Sequence, residues 1–221
     1  MSLSAITSNY EQTRLQRSLR RLEQDVLRMG ALVEQAFRLS HQALFSRNLE
    51  ASREIILLDD KIDAYYRQIE SECSKLMTLQ SPVAQDIRLI SAFMQLVRDL
   101  ERIGDYAEDL TELAVKLFAY PTHSCMGDIE AMSNHAQAML ASSLVALADL
   151  DASAGQTVKQ LDDTVDDAYE YIYKTLAFEQ VQGVAEPIIL LALVIRHLER
   201  MADHATNIGQ RVSFIVTGHR D

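Results

Sequence analysis

The chain carries one plan twice. Leu58-Asp-Asp-Lys-Ile-Asp63 recurs 103 residues on as Leu161-Asp-Asp-Thr-Val-Asp166. Arg98-Asp-Leu-Glu-Arg-Ile-Gly-Asp-Tyr-Ala107 recurs 98 residues on as Arg196-His-Leu-Glu-Arg-Met-Ala-Asp-His-Ala205. Upstream, Asn48 meets Asp151 and Leu44 meets Leu147 at the first of these steps. Self-similarity on this scale marks one supersecondary unit used twice. The second copy has lost five residues (103 − 98) between its two motifs, most simply in the turn that joins them.

Within each copy the apolar residues keep helical time. Ile55, Leu58, Ile62, Tyr66 and Ile69 recur at steps of three and four; so do Leu89, Phe93, Leu96, Leu100, Ile103 and Ala107, and again Leu191, Ile195, Leu198, Met201 and Ala205. No alternating strand pattern of useful length competes. With only seven Gly and three Pro, punctuation is sparse. Asn48 and Asp151 read as helix caps, Ser81-Pro82 as a cap with proline in the first turn, Tyr120 to Gly127 as a linker, and Gln182 to Pro187 as a break. The expected helices span 5–46, 50–79, 83–119, 126–149, 152–180 and 187–216. The fold expected is all-α, two tandem three-helix bundles over residues 1–120 and 121–221.

A formal net charge of −11 argues against general nucleic-acid binding, which needs a basic surface to displace counterions. Arg14, Arg17, Arg20, Arg21 and Arg28 form a local basic stripe, read either as a docking surface for an acidic partner or as a solvated helix face. Cys73 and Cys125 lack CxxC spacing, which disfavours a disulfide framework or zinc and fits reduced thiols in the cytoplasm. The N-terminus lacks the layout of a signal peptide, and the most apolar stretch, Ile188 to Ile195, is too short to span a bilayer.

The acidic residues fall into register. Asp59 and Asp63 lie one helical turn apart, as do Glu101 and Asp105; the two pairs centre on 61 and 103, and their mean falls at Pro82, the expected turn. Asp162 with Asp166 and Glu199 with Asp203 repeat the coincidence about the Gln182-Gly183 break. In antiparallel hairpins, each pair then stands at one height, roughly 30 Å from its turn. Four carboxylates at one level repel, raise their own pKa values or hold cations, and an all-oxygen set favours hard ions. The competing reading is a salt-bridge ladder, with Arg98, Arg102, Arg196 and Arg200 neutralising the acids. Asp109 extends the first cluster by a turn, and Asn207 is its counterpart. Gly104 and Ala202, inside the motifs, permit close helix approach or leave room for ions.

Oxidase chemistry of the ferritin-like kind needs Glu-x-x-His elements, and none is present. His41, His123, His135 and His219 are isolated. No P-loop, dinucleotide fingerprint or nucleophile elbow appears, so nothing marks a catalyst.

From about residue 15 to 216 the sequence resembles the PhoU family of bacterial phosphate-uptake regulators. The resemblance rests on Leu100-Glu-Arg-Ile-Gly-Asp105, Leu198-Glu-Arg-Met-Ala-Asp203, Asp59-x-x-x-Asp63, Asp162-x-x-x-Asp166 and the segment Ser81 to Arg88. It implies two pseudo-symmetric three-helix bundles that hold iron, magnesium or manganese on their surfaces, in some members as multinuclear clusters. Carried over, one metal site would comprise Asp59, Asp63, Glu101, Asp105 and Asp109, and the other Asp162, Asp166, Glu199, Asp203 and Asn207. The resemblance further implies a non-enzymatic homodimeric adaptor. Such an adaptor restrains the phosphate-specific ABC transporter through its ATPase subunit and holds back a phosphate-sensing histidine kinase, reaching the membrane only through these partners. The rival reading is a metal-dependent phosphohydrolase on a helical bundle; a third is a purely structural scaffold.

Overall fold

The computed structural model describes residues 3–79, 82–181 and 183–219, with side-chain surroundings described within these except at 3–13 and 154–156. Six helices follow one another: α1 (Leu3–Ser46), α2 (Leu49–Leu79), α3 (Ala84–Leu117), α4 (Met126–Asp149), α5 (Ala152–Ala177) and α6 (Glu186–Thr217). Among the described residues there is no strand. The fold is all-α, two three-helix bundles built from an internal repeat. Helices α1, α2 and α3 pack pairwise into one bundle, and α4, α5 and α6 into the other. The halves meet along α3 with α6 and, less extensively, along α1 with α4, which leaves α2 and α5 on the two outer flanks.

The repeat extends to backbone detail. Arg47 and Leu150, 103 residues apart, both adopt a left-handed conformation, at φ 52° and 50°. L-residues enter that region at a cost, yet the sharp α1–α2 and α4–α5 turns require it. The residue that follows each caps the next helix: Asn48 Oδ1 accepts the Glu50 and Ala51 amides at 3.0 and 3.4 Å, and Asp151 Oδ1 accepts the Ser153 amide at 2.9 Å. Arg47 is held by a hydrogen bond from its guanidinium to the Tyr120 carbonyl, 3.1 Å, and by stacking over Phe118.

The start of α3 differs from expectation. Ser81 lies outside the described residues, and Pro82 precedes the helix instead of occupying its first turn. Val83 is the N-cap, and its amide donates to the Asp86 carboxylate at 3.2 Å. The acid three residues into the helix thus does the capping. Helix α5 stops at Ala177, three residues before the expected end, and Gln182 lies outside the described residues. At the start of α6, Pro187 sits in the first turn as its fixed φ favours; Gly218 ends that helix at φ 78°.

Ile55, Leu58, Ile62 and Ile69 of α2 are buried against Phe93, Leu96, Leu100 and Ile103 of α3 and Val26, Met29, Val33 and Phe37 of α1. Val158, Val165 and Ile172 line the same face of α5, against Leu191, Ile195, Leu198 and Met201 of α6. Burying each such side chain contributes about 1.5–3 kcal/mol, which fixes how α2 turns on α3 and α5 on α6. That rotation decides where the carboxylates point. The basic stripe on α1 is a solvated face: Arg14, Arg17, Arg20, Arg21 and Arg28 are all exposed, and Arg28 pairs with Asp25 at 2.9 Å.

Candidate metal centres

On the flank where α2 lies against α3, Asp59 and Asp63 project beside Glu101 and Asp105. Ile62, between the two aspartates, is wholly buried, and Ile103 occupies the same position on α3. The apolar residue therefore anchors each acidic pair half-way out of the core. Gly104 permits the close approach. A Cβ there would stand 3.3 Å from Ile62 and 3.7 Å from Asp59 Oδ1.

The carboxylates act on one another electrostatically. The Asp59 carboxyl is pushed above its ordinary value by burial first, then by the charges of Asp105, Asp63 and Asp60. Asp105 rises to about 6 through burial and Glu101, with Arg102 opposing and Asp63 and Asp109 adding to the rise. Glu101 is raised by burial against the pull of Arg102, with Asp63 and Asp59 contributing. Three ion pairs offset part of the repulsion: Arg67 with Asp63 at 2.8 Å, and Arg102 with Asp105 at 3.1 Å and with Glu101 at 3.6 Å. Asp59 is left out. Its Oδ1 is buried and has no hydrogen-bond partner.

The α5–α6 flank repeats this arrangement. Asp162 is raised by burial, Asp166 and Asp203, with the neighbouring Thr206 hydroxyl pulling the other way. Asp166 is raised by burial and Asp203, and Glu199 by burial and Asp203. Arg196 pairs with Glu199 at 2.6 Å and Arg200 with Asp203 at 2.9 Å. Again the inner aspartate is left over: Asp162 Oδ1 is buried with no hydrogen-bond partner. Two equivalent orphaned oxygens, one per repeat, are the kind of group that buried polar chemistry ordinarily satisfies with an unseen partner.

The fifth member of each predicted set lies elsewhere. Asn207 turns from the α5–α6 flank into the seam between the halves, where its amide donates to Asp99 of α3 at 3.4 Å. Asp109 is exposed and acts on two sides, raising Asp105 and also holding up the imidazole of His197 on α6 against burial. The place beside Asp59 goes instead to Glu108, whose carboxyl is raised by burial and then by Asp59. Thr206 is its repeat counterpart beside Asp162. Both lie two helical turns beyond the first motif acid, at Glu101 + 7 and Glu199 + 7, and that spacing is the signal that could have found them.

Each flank thus offers an all-oxygen donor set suited to a hard cation. In the arrangement seen, several of the carboxylates are paired with arginines, and among the described residues no three Asp, Glu, His or Cys side chains converge closely enough to hold an ion. The salt-bridge ladder accounts for Asp63, Glu101, Asp105, Glu199 and Asp203. It leaves Asp59, Asp162 and the exposed Asp166 without an ion pair, and of these Asp59 and Asp162 each have a buried oxygen with no partner.

The PhoU domain family matches the chain twice, over residues 26–114 and 129–212. The chain belongs to the PhoU family. A Synechocystis protein described as a phosphate-specific transport system accessory protein PhoU homolog is 62% identical over 221 residues, covering 100% of this chain and 99% of its own. A Deinococcus radiodurans protein of the same description is 30% identical, covering 94% of this chain and 98% of its own. Among solved structures, PhoU from Pseudomonas aeruginosa superposes with a TM-score of 0.89 at 29% identity, over 92% of this chain and 99% of that one. PhoU from Streptococcus pneumoniae gives 0.85 at 28% identity, over 94% and 99%. The PhoU fold therefore covers both flanks.

Proposed function

We propose that this chain is a non-enzymatic regulatory accessory protein of a phosphate-specific transport system, with hard metal ions held on its two outer flanks. The names carried by its relatives support the transport role. The metal reading rests on the buried, unpartnered oxygens of Asp59 and Asp162 at equivalent places in the two repeats. Asp59, Asp63, Glu101, Asp105 and Glu108 would hold ions on one flank, with Asp109 at its edge; Asp162, Asp166, Glu199, Asp203 and Thr206 would hold them on the other. Magnesium, manganese and iron all suit such donors. A bound cation would supply the positive charge that these acids lack and a face able to bridge to acidic groups of a partner.

The partners in this reading are the ATPase subunit of the phosphate transporter and a phosphate-sensing histidine kinase, engaged by a homodimer at the inner face of the membrane. No helix among the described residues is long and apolar enough to cross a membrane, in keeping with contact through partners. A phosphohydrolase is less well supported. The histidines nearest the motifs, His197 and His204, face the seam between the halves and not the acidic flanks.

Two measurements test the reading together. Protein purified without chelator is analysed for metals, and tagged protein is recovered from phosphate-replete cells to look for the ATPase subunit and the kinase. Alanine at Glu101, Asp105, Glu199 and Asp203 should remove the metal and weaken recovery of both partners. Loss of metal with unchanged recovery would sink the metal-dependent mechanism. Failure of the intact protein to recover either partner would sink the adaptor role.

A further inference from the structure

Where α3 crosses α6 the seam is polar on one side. Asp99 of α3 accepts a hydrogen bond from His204 of α6 at 2.8 Å, and since a carboxylate can only accept, His204 Nδ1 carries the hydrogen. Next to this pair opens a cleft of about 500 Å³, lined by Gln95, Arg98, Asp99, Arg102, Tyr106, Arg200, His204 and Arg211. Four arginines and one carboxylate line it, in a chain whose net charge is −11. Arg102 and Arg200 also reach outward to Asp105 and Asp203. Among the described residues, Arg98 and Arg211 end in no ion pair. Inside the seam the Arg211 Nε–H donor is buried without a partner, as are the second ring nitrogen of His204 and Nδ1 of His197.

The repeat accounts for part of this concentration of charge: Arg102 and Arg200 are equivalents at the step of 98 residues, and Arg98 recurs as Arg196. Arg211 corresponds instead to Leu113 and Gln95 to Leu193, so the Arg211 guanidinium has no basic counterpart in the first repeat.

We propose that this cleft is a binding site for a small phosphate-bearing anion, either inorganic phosphate or the phosphate end of a nucleotide. Guanidinium groups present planar pairs of N–H donors that match phosphoryl oxygens, and they do so best where water is partly excluded. The volume lies within the range of small-ligand sites, about 300–1,000 Å³. An extended polyanion is excluded by the acidic surface around it. Because Arg98 and Arg102 come from one half and Arg200 and Arg211 from the other, the anion ties α3 to α6. The site uses no metal-face carboxylate as a ligand, although Arg102 and Arg200 link it to Asp105 and Asp203.

Titration calorimetry of the intact, chelator-treated protein at fixed ionic strength tests it with inorganic phosphate, ADP and adenosine as probes. Phosphate or ADP should bind and adenosine should not. Arg211→Gln and the exposed Arg98→Gln should each weaken binding about tenfold or more, as expected for loss of one charge-assisted hydrogen bond. Arg211→Lys, which keeps the charge without the fork, should fall between, and Arg53→Gln on α2 should match the parent. ADP binding at least about tenfold tighter than phosphate identifies the nucleotide as the source; equal affinities identify free phosphate. Absence of binding by both, equal weakening by Arg53→Gln, or indifference to Arg98→Gln and Arg211→Gln would each overturn the site. Thermal unfolding of every variant without ligand confirms that the fold is intact.

Discussion

Replacing Asp105 with Asn should stabilise the metal-free protein and destabilise the metal-loaded one, and this reversal of sign separates a cation site from a salt-bridge ladder. Burial, then Glu101, with Arg102 opposing and Asp63 and Asp109 adding, pushes the Asp105 carboxyl from 3.8 to about 6. A gap of that size corresponds to roughly 3 kcal/mol against the ionised form. The side chain is 34% exposed, so solvent screening cuts the penalty to about 1–2 kcal/mol. The pH dependence follows from the raised folded value. About a unit below the unfolded value of 3.8 the group is protonated in folded and unfolded chains alike, and no penalty remains. As pH rises through about 6 the folded protein is forced to ionise and the penalty becomes complete. Urea unfolding of chelator-treated protein near pH 7.5, followed by helical circular dichroism, should therefore show Asp105→Asn more stable by about 1–2 kcal/mol. At a slope of about 2 kcal/mol per molar that is a midpoint shift of roughly 0.5–1 M. The difference should shrink steeply as pH falls from about 6 towards 4. With Mn²⁺ or Mg²⁺ near 100 times its dissociation constant, the parent gains about 2.7 kcal/mol and the order inverts. An Asn variant less stable than its parent in chelator, or a gain that persists at low pH, would refute the reasoning. It would mean that the Arg102 pair outweighs the repulsion and that the flank is a ladder.

Three further outcomes follow from the same structure. Thr206→Glu places in the second repeat the acid that Glu108 supplies in the first; it should tighten cation binding on the α5–α6 flank about tenfold, measured by calorimetry in an Asp59→Asn background that silences the other flank. A Cβ at Gly104 is already 3.3 Å from Ile62, so the two extra methyl groups of Gly104→Val should cost about 1–3 kcal/mol by overpacking. Gly127→Ala, with nothing within 4 Å of the new carbon, should leave the melting temperature within about 1–2 °C of the parent. Burial pushes the Cys73 thiol up to about 12 and the Cys125 thiol up to about 11. Near pH 8 both should resist a thiol-reactive disulfide reagent, since the thiolate is the reactive form, and both should react at once in urea.

How much of this could be read from the chain depended on how local each cause was. The helices came through at nearly their true ends because the α1–α2 and α4–α5 caps, Asn48 and Asp151, act within three residues. The left-handed residues before them, Arg47 and Leu150, carried no signal, since neither side chain favours that region. The start of α3 came within one residue of its true place, but its cap was not foreseen: Asp86, reaching back from inside the helix, makes the bond, and Ser81 lies outside the described residues. The acidic flanks followed from counting residues to the turns, which works for straight antiparallel helices. Glu108 and Thr206 stand beside Asp59 and Asp162 for a reason of angle that counting single turns on from Asp105 and Asp203 passes over. At about 100° per residue, a step of eight from the motif Glu rotates about 80° off its face, and a step of seven only about 20°. That difference sends Asn207 into the seam to meet Asp99 and leaves Thr206 beside Asp162. The seam itself was illegible, because its pairing of Asp99 with His204 depends on how one repeat docks against the other. No periodicity within a helix encodes that docking. The duplicated motif thus faces two ways: its Glu and Asp look outward to the flanks, while Arg102 and Arg200, within the same ten residues, stand between the flanks and the basic cleft. An anion drawing those arginines inward would leave Asp105 and Asp203 without their partners, so the cleft and the flanks are coupled through two side chains.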